Sequence, residues 1–500
     1  MGYLYGSSVQ GIQSFIFETN KLKEIVGASE LVEQLSRTQI LSGGETSLFD
    51  DYLAKIGVEL SEDDFYRAAA GNIRLFLKDK DKIEKIVRGW PKFVSEKVPG
   101  VTLSQAVLEV SKFSGKKTGE LEKKLKEARN RLPIPDELSP MVAIRARRTG
   151  KPAVDWEDEK KPRDRATRLK QEKGQTEAPQ NLMEKILPDG ALRNLENAKE
   201  HYPYDISDIL TEGDETGWLA VIHADGNGLG RILQSLSTAP AESTEEQPMQ
   251  KQKDFSKTLD QCTLNAVKKA TGDIGFLDGI PGKGAYPFRP VVAGGDDLTI
   301  IIRADLAFDF TLSYLNAFNE KTREHNGIFG EDGLTACAGI AYMKASYPFH
   351  YAVQLAEELC GYAKKGLERT AGLAFHKIQD SFVDSYEDIT KRELSPQIDL
   401  SFVYGPYSIE KAEILRKQVE TIQKPYSPKS GIRKWLGLLY HDFEEANLWL
   451  ERVKEITTEN FSRDLNLDIA ITEGKTHLYD VMSLASLIKS EEKDEEERNG

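Results

Sequence analysis

Two adjacent carboxylates, Asp296 and Asp297, lie between apolar, β-branched runs in Arg289-Pro290-Val291-Val292-Ala293-Gly294-Gly295-Asp296-Asp297-Leu298-Thr299-Ile300-Ile301-Ile302. Such runs predict buried strands, and the Gly/Asp interruption predicts a tight hairpin. Gly and Asp are also ordinary turn residues. Two neighbouring acids at the end of a buried sheet, however, repel each other unless a cation or donors compensate. A third acid, Asp225, ends the apolar run Trp218-Leu219-Ala220-Val221-Ile222-His223-Ala224. An all-oxygen set of this kind suits Mg²⁺ or Mn²⁺, the ions that accompany nucleoside triphosphates. Two such ions can activate an attacking ribose hydroxyl and neutralise a leaving pyrophosphate.

The phosphate side has its own candidates. Asp225 opens Asp225-Gly226-Asn227-Gly228-Leu229-Gly230, with helix expected to resume at Arg231. Glycines there let backbone amides approach a triphosphate near a helix N-terminus, although they serve a plain tight turn equally well. Lys364 and Lys365 close a helix expected over Phe349 to Lys365. A cation there can reach the same phosphates or can simply favour the helix end. The candidate nucleotide-binding set is therefore Gly226, Asn227, Gly228, Gly294, Gly295, Lys364 and Lys365. No Ser/His/Asp triad is visible, and the isolated pair His441-Asp442 reads as structural.

The elements that must hold these residues follow in order. After the strand ending at Asp225 come helix from Phe255 to Ala270, the hairpin, helix from Asp305 to Glu324, strand from Leu334 to Met343, and the Phe349 helix. Strand, helices, hairpin, helix, strand, helix predicts a ferredoxin-like α/β (α+β) "palm". In that layout the strands ending at Asp225 and at the hairpin are neighbours, so the three acids converge. Residues 239–253, rich in Ser, Glu, Gln and Pro, read as a mobile loop.

The first half follows a similar plan. A strand at Tyr3-Leu4-Tyr5 precedes helix with a break at Gly27, then strand–turn–strand over Ala68 to Leu77, helix from Lys80 to Val94, strand from Gly100 to Val107 and a charged helix from Leu121 to Leu132. Ser8-Val9-Gln10-Gly11 occupies the place of Asp225-Gly226-Asn227-Gly228, and Ala70-Gly71-Asn72-Ile73 that of Gly294-Gly295-Asp296-Asp297. The first half thus reads as a duplicated palm with every carboxylate replaced. Between the halves, basic clusters (Arg145, Arg147, Arg148, Lys160, Lys161, Arg163, Arg165) alternate with acids. They read as a solvated connector or as a basic face for RNA phosphates. Helices over Ile409–Gln423, Gly431–Thr457 and Leu478–Lys489 suggest a terminal bundle. The expected domains are 1–140, a degenerate palm; 141–215, a connector; 216–400, a catalytic palm; 401–490, helical; and 491–500, a disordered charged tail.

Composition narrows the class. The 500 residues carry a net charge of −14, which argues against a general nucleic-acid binder. Three scattered cysteines, Cys262, Cys337 and Cys360, fit a reducing cytoplasm and no disulfide framework or cysteine zinc site. The N-terminus shows no signal peptide and no apolar run reaches transmembrane length, so a cytoplasmic protein without membrane contact is expected.

Ile12-Gln13-Ser14-Phe15-Ile16 with Lys21 to Ser29, and Arg289 to Leu298, resemble the first palm and the catalytic motif of the large, polymerase-like subunit of type III CRISPR effector complexes. Ala356-Glu357-Glu358-Leu359 and Ala363-Lys364-Lys365 are similar to the closing helix of the wider palm-cyclase class, which includes diguanylate cyclases. Thr149-Gly150-Lys151-Pro152-Ala153 resembles the segment after that family's zinc-binding cysteines. The resemblance implies two facing palms, an intervening domain and a C-terminal helical domain. It implies joining of ATP into cyclic oligoadenylates, switched on by target RNA bound to the guide complex. Asp225, Asp296 and Asp297 would bind two Mg²⁺ or Mn²⁺ ions and Lys364 the triphosphate, while the degenerate palm orients a second ATP. Partners would be the other subunits and, through the complex, CRISPR RNA and target RNA. Two departures matter: no histidine-aspartate nuclease motif precedes the first palm, and Arg145 to Arg148 contains no cysteine, so neither DNA cleavage nor zinc is expected. The alternatives are a free-standing nucleotide cyclase or cyclic-dinucleotide synthase of the palm class, and a nucleotide-binding scaffold without catalysis. Gly-Gly-Asp-Asp-Leu lacks the Glu-Phe of diguanylate cyclases.

Overall fold

Two sheets built to one plan organise the chain. In the computed structural model, residues are described throughout except 43–46, 70, 131–140, 159, 177, 194, 211–216, 230–231, 233–245, 275–283, 381–384, 398 and 489–500. The first sheet contains β1 (Gly2–Gln10), β2 (Phe65–Ala69), β3 (Asn72–Leu77) and β4 (Thr102–Val110), in the order β2-β3-β1-β4. A two-stranded pair, β5 (Ala153–Trp156) and β6 (Pro162–Asp164), follows. The second sheet contains β7 (Trp218–Gly226), β8 (Phe288–Gly294), β9 (Asp297–Arg303), β10 (Ala336–Lys344), β11 (Gly372–Lys377) and β12 (Tyr407–Ser408), in the order β12-β11-β10-β7-β9-β8. Its β8-β9-β7-β10 portion repeats the first sheet's β2-β3-β1-β4. Consecutive Ile300, Ile301 and Ile302 are all fully buried, so both faces of β9 are covered, which is what an unalternating β-branched run requires.

The helices used below are α1 (Leu22–Gln34), α2 (Lys80–Lys97), α3 (Gly115–Arg129), α4 (Arg165–Thr176), α5 (Ala178–Ile186), α6 (Glu246–Asp273), α7 (Ala304–Arg323), α8 (Phe349–Gly366), α9 (Ile409–Gln423), α10 (Lys429–Leu438), α11 (Phe443–Ile456) and α12 (Leu478–Leu484). In the second unit α6 and α7 pack together, and α8, which follows β10, lies on β10, β7 and β11. In the first unit α3 follows β4 and lies on β4 and β1. The duplication therefore extends to the closing helix.

Strand pairing corrects the expected alignment by one residue. Ser8 pairs with Asn72 across β1 and β3. Across β7 and β9 the pair Ala224–Leu298 sets a register that brings Asp225 level with Asp297. The hairpins agree, since Ala69 faces Asn72 and Gly294 faces Asp297. Asn72 thus stands for Asp297, and Gly71 for Asp296; Ala70 lies outside the described residues. Ser8 Oγ bonds the Asn72 amide oxygen, and Arg129 at the end of α3 donates to Ser8 Oγ at 2.7 Å.

Part of the basic stretch packs inward, while Arg145, Arg147, Lys160 and Lys161 stay exposed. Arg148 forks onto Glu24 with contacts of 2.7 and 3.0 Å, and Gln171 donates to the same carboxylate at 2.7 Å. Glu24 is buried; burial pushes its pKa up, but the bonds from Arg148, Thr19 and Gln171 outweigh that and hold it below the usual range. Lys170, also buried, donates to the Phe15 carbonyl at 2.6 Å and to Glu18 at 2.9 Å. Gly27, expected to break the helix, lies inside α1. A Cβ there would sit 1.8 Å from the Lys170 carbonyl oxygen, and one at Gly174 would sit 1.9 Å from that of Lys23. The two glycines face each other where α1 and α4 cross in backbone contact.

Other differences have local causes. Residues 246–253 form the first turns of α6 rather than loop. The helix expected over Gly431–Thr457 is two helices, because Asp442 caps α11 through its bond from the Glu445 N–H at 2.9 Å. The helix expected from Leu121 starts at Gly115, capped by Ser114. The charged tail, Gly230, Arg231, residues 239–245 of the expected loop and the last residues of the helix expected to Leu132 lie outside the described residues. One hydrophobic cluster joins both sheets, the segment between them and the C-terminal helices. No helix among the described residues is long and apolar enough to cross a membrane.

Candidate catalytic site

Asp225 is carried at the end of β7, and Asp296 and Asp297 at the β8–β9 turn beside it. One carboxylate oxygen from each lies within 4.8 Å of the others. All three are partly buried, so mutual repulsion is only partly screened. Burial, followed by the charges of Asp296 and Asp225, pushes Asp297 up to about 7. Burial, then the charge of Asp225 and a hydrogen bond shared with it, raises Asp296. Three converging carboxylates, two of them raised by burial and neighbouring charge, form an oxygen donor set fitted to a hard divalent cation.

Lys364, near the end of α8, contacts the Asp225 carboxylate and donates to the Gly226 carbonyl at 2.9 Å. It is thus brought into the cluster, whereas Lys365 is exposed and makes no ion pair with it. Gly226 ends β7, and Gly228 takes a left-handed φ of 73° in the turn that follows. Asn227 is taken up in the scaffold: its backbone N–H donates to the Thr335 carbonyl at 2.8 Å and its side-chain amide to Thr335 Oγ1 at 2.9 Å. Gly294 ends β8 opposite Asp297, and Gly295, with φ 64°, and Asp296 make the turn between them.

Several neighbours carry no sequence signature of this site. His223, two residues before Asp225, holds Thr299 Oγ1 at 3.1 Å, and burial lowers its pKa. Tyr314 of α7 is wholly buried, its hydroxyl unpartnered among the described residues, and burial and the three acids push it up. Arg67, exposed on β2 of the other sheet, is near enough for its charge to lower both Asp296 and Asp297. Asp260 and Thr263 of α6 bond the backbone of Gly295. Only that last pair was readable in principle, as two polar residues one turn apart on an otherwise apolar face.

A palm sheet with converging acids at one end and a lysine from the closing helix defines a palm-domain protein. Residues 218–371 match the family described as Cas10/Cmr2, second palm domain, in the part of the chain where the catalytic motif resembles that of type III large subunits. No curated protein matches it in sequence. Among solved structures it is similar to a Csm1-Csm4 cassette in complex with cA4, with 14% identity and TM-score 0.54, covering 97% of this chain and 69% of that one. It is similar to the cassette in complex with AMPPNP, with 14% identity and TM-score 0.54 over 97% and 70%. It is also similar to the cassette in complex with cA3, with 14% identity and TM-score 0.52 over 98% and 70%. These likenesses establish the shared fold.

Proposed function

We propose that the chain is the large subunit of a type III CRISPR RNA-guided complex and joins ATP into cyclic oligoadenylates. The observation that carries this reading is the meeting of Asp225, Asp296 and Asp297 within 4.8 Å, with Lys364 alongside. Mg²⁺ or Mn²⁺ bound by these acids would supply charge neutralisation for the attacking hydroxyl and the departing pyrophosphate. With a cation on Asp225, Lys364 would be free to pair with a triphosphate, and Gly228, with open space around it, would leave room for the phosphates. Lys365 points to solvent and plays no part, and Asn227 keeps the β7 end joined to Thr335. The solved structures similar to this chain are cassettes with Csm4 and with cA3, cA4 or AMPPNP, which supports a protein partner and an adenine nucleotide for this chain. Residues 216–400 act as the catalytic palm, 1–140 as its degenerate counterpart, 141–215 join them, and 401–490 form the helical domain.

The test is incubation of the chain, alone and with its partner subunits, guide and target RNA, with ATP and Mn²⁺. Cyclic oligoadenylates that vanish with Asp296→Ala are expected. Product from the chain alone would favour a free-standing cyclase, and no product from any nucleotide would sink the reading.

A further inference from the structure

Helix α6 buries Leu259, Cys262, Ala266, Val267 and Ala270, and its apolar face is interrupted one turn apart by Asp260 and Thr263. Both reach the same backbone unit. Asp260 Oδ1 accepts the Gly295 N–H at 2.8 Å, and the Thr263 hydroxyl, fully buried, donates to the Gly295 carbonyl at 2.6 Å. A Cβ on Gly294 would lie 2.9 Å from Asp260 Oδ1, so the first glycine of the pair is what admits the carboxylate. The second glycine adopts the left-handed conformation and has both its polar backbone groups gripped. The helix that does this is itself braced on the other half of the chain. Lys253 Nζ donates to the Glu62 carbonyl at 2.6 Å and lies 3.6 Å from Asp63, next to β2.

Asp296 is the second residue of that turn and Asp297 opens β9 level with Asp225, so their repulsion presses on the tip of the hairpin. Tight turns tolerate such load only when the surrounding structure over-determines them. We propose that Asp260 and Thr263 are positioning residues that clamp Gly295 and thereby hold Asp296 and Asp297 in the geometry needed to bind a divalent cation. The proposal rests on the reading of those acids as metal ligands. Neither residue touches substrate. What matters is a hydrogen-bond acceptor at 260 and a hydroxyl at 263, not the negative charge of Asp260.

The full-length protein serves for the test, with Asp260→Ala, Asp260→Asn, Thr263→Val and Thr263→Ser. Hydrogen exchange of the peptide spanning 288–300 is followed in EDTA, and Mn²⁺ affinity is measured without nucleotide. Asp260→Ala is expected to speed exchange at the turn and weaken Mn²⁺ binding by about ten-fold, the loss typical of one positioning contact. Asp260→Asn, which keeps an acceptor, stays within about three-fold of the parent protein in both readouts. Thr263→Val weakens Mn²⁺ binding and Thr263→Ser restores it. In ATP turnover the damaging variants lower kcat and leave KM near its original value. Unchanged exchange and Mn²⁺ affinity in Asp260→Ala and Thr263→Val would overturn the proposal, as would damage from Asp260→Asn equal to that from Asp260→Ala. If Asp260→Ala does not fold, the Thr263 pair decides. Loss of Mn²⁺ binding in Asp297→Ala together with unperturbed clamp variants would reject the clamp and keep the metal site. No Mn²⁺ binding by the parent protein would reject the metal site, and exchange alone would then judge the clamp.

Discussion

Replacing Asp297 with asparagine should make the metal-free protein more stable while removing its ability to bind a divalent cation. The Asp297 carboxyl is pushed from 3.8 to about 7, first by burial and then by Asp296 and Asp225. Every ten-fold gain in proton affinity corresponds to about 1.4 kcal/mol, so this displacement sets a ceiling of about 4 kcal/mol on the cost of ionising the group in the folded state. Because the site is partly open to solvent, about 2 kcal/mol is the working figure. The sign follows from linkage. A carboxyl whose folded pKa is raised keeps its proton in the folded state, so its penalty is absent below about pH 4, grows as pH rises, and is complete above about pH 7. Thermal melts in EDTA at pH 8 should show Asp297→Asn above the parent protein by about 2 °C. The gap should narrow steadily on acidification and close near pH 4. Adding Mn²⁺ at pH 8 should raise the parent's midpoint and leave the variant's unmoved. Equal midpoints for the two proteins at pH 8 in EDTA, or a Mn²⁺ response that survives the substitution, would refute the reasoning.

Lys364→Ala is expected to raise KM for ATP about ten-fold with a smaller effect on kcat, read in steady-state turnover, because a phosphate contact is lost and the acids remain. Gly27→Ala places a methyl group 1.8 Å from the Lys170 carbonyl oxygen, and thermal melts should report a loss of about 3 kcal/mol as α1 and α4 are forced apart. Asp480 of α12, buried and held by the Tyr407 hydroxyl, is raised to about 7 by burial, so Asp480→Asn should stabilise the protein at pH 8 and confer no gain at pH 4. A midpoint gain at pH 4 equal to that at pH 8 would count against that assignment.

The hairpin, the strand leading to Asp225 and the Phe349 helix were legible because burial on both faces leaves unbroken apolar runs and a Gly-Gly turn leaves a visible gap. The convergence of the three acids followed from element order alone. The one-residue slip in the internal repeat has a clear origin. Matching by residue type aligns Gly71 with Gly295, both in left-handed conformation, whereas pairing counts residues along the ladder and sets Asn72 opposite Ser8. The basic segment was opaque because its packing is done by charge: Arg148 and Lys170 look solvated in a sequence, and only Glu24 and Glu18 on a distant helix and loop turn them inward. Asp260 and Thr263 stand out in the sequence as two polar residues one turn apart on α6, but their partner is backbone, which leaves no mark on composition. Strand β11 is six residues long, too short for periodicity to distinguish from a turn.

The reciprocal glycines at 27 and 174 bear on how the chain can be taken apart. Two helices seated backbone to backbone cannot be separated without opening a seam that no side chain fills, and the Arg148–Glu24 and Lys170–Glu18 pairs close over it. A fragment cut near residue 140 would strip α1 of the helix it is seated against and leave Glu24 buried without its counter-ion. Residues 1–176 should therefore be expressed, cleaved and exchanged between relatives as one piece, and protease sites on the buried face of α4 should open only when it parts from α1.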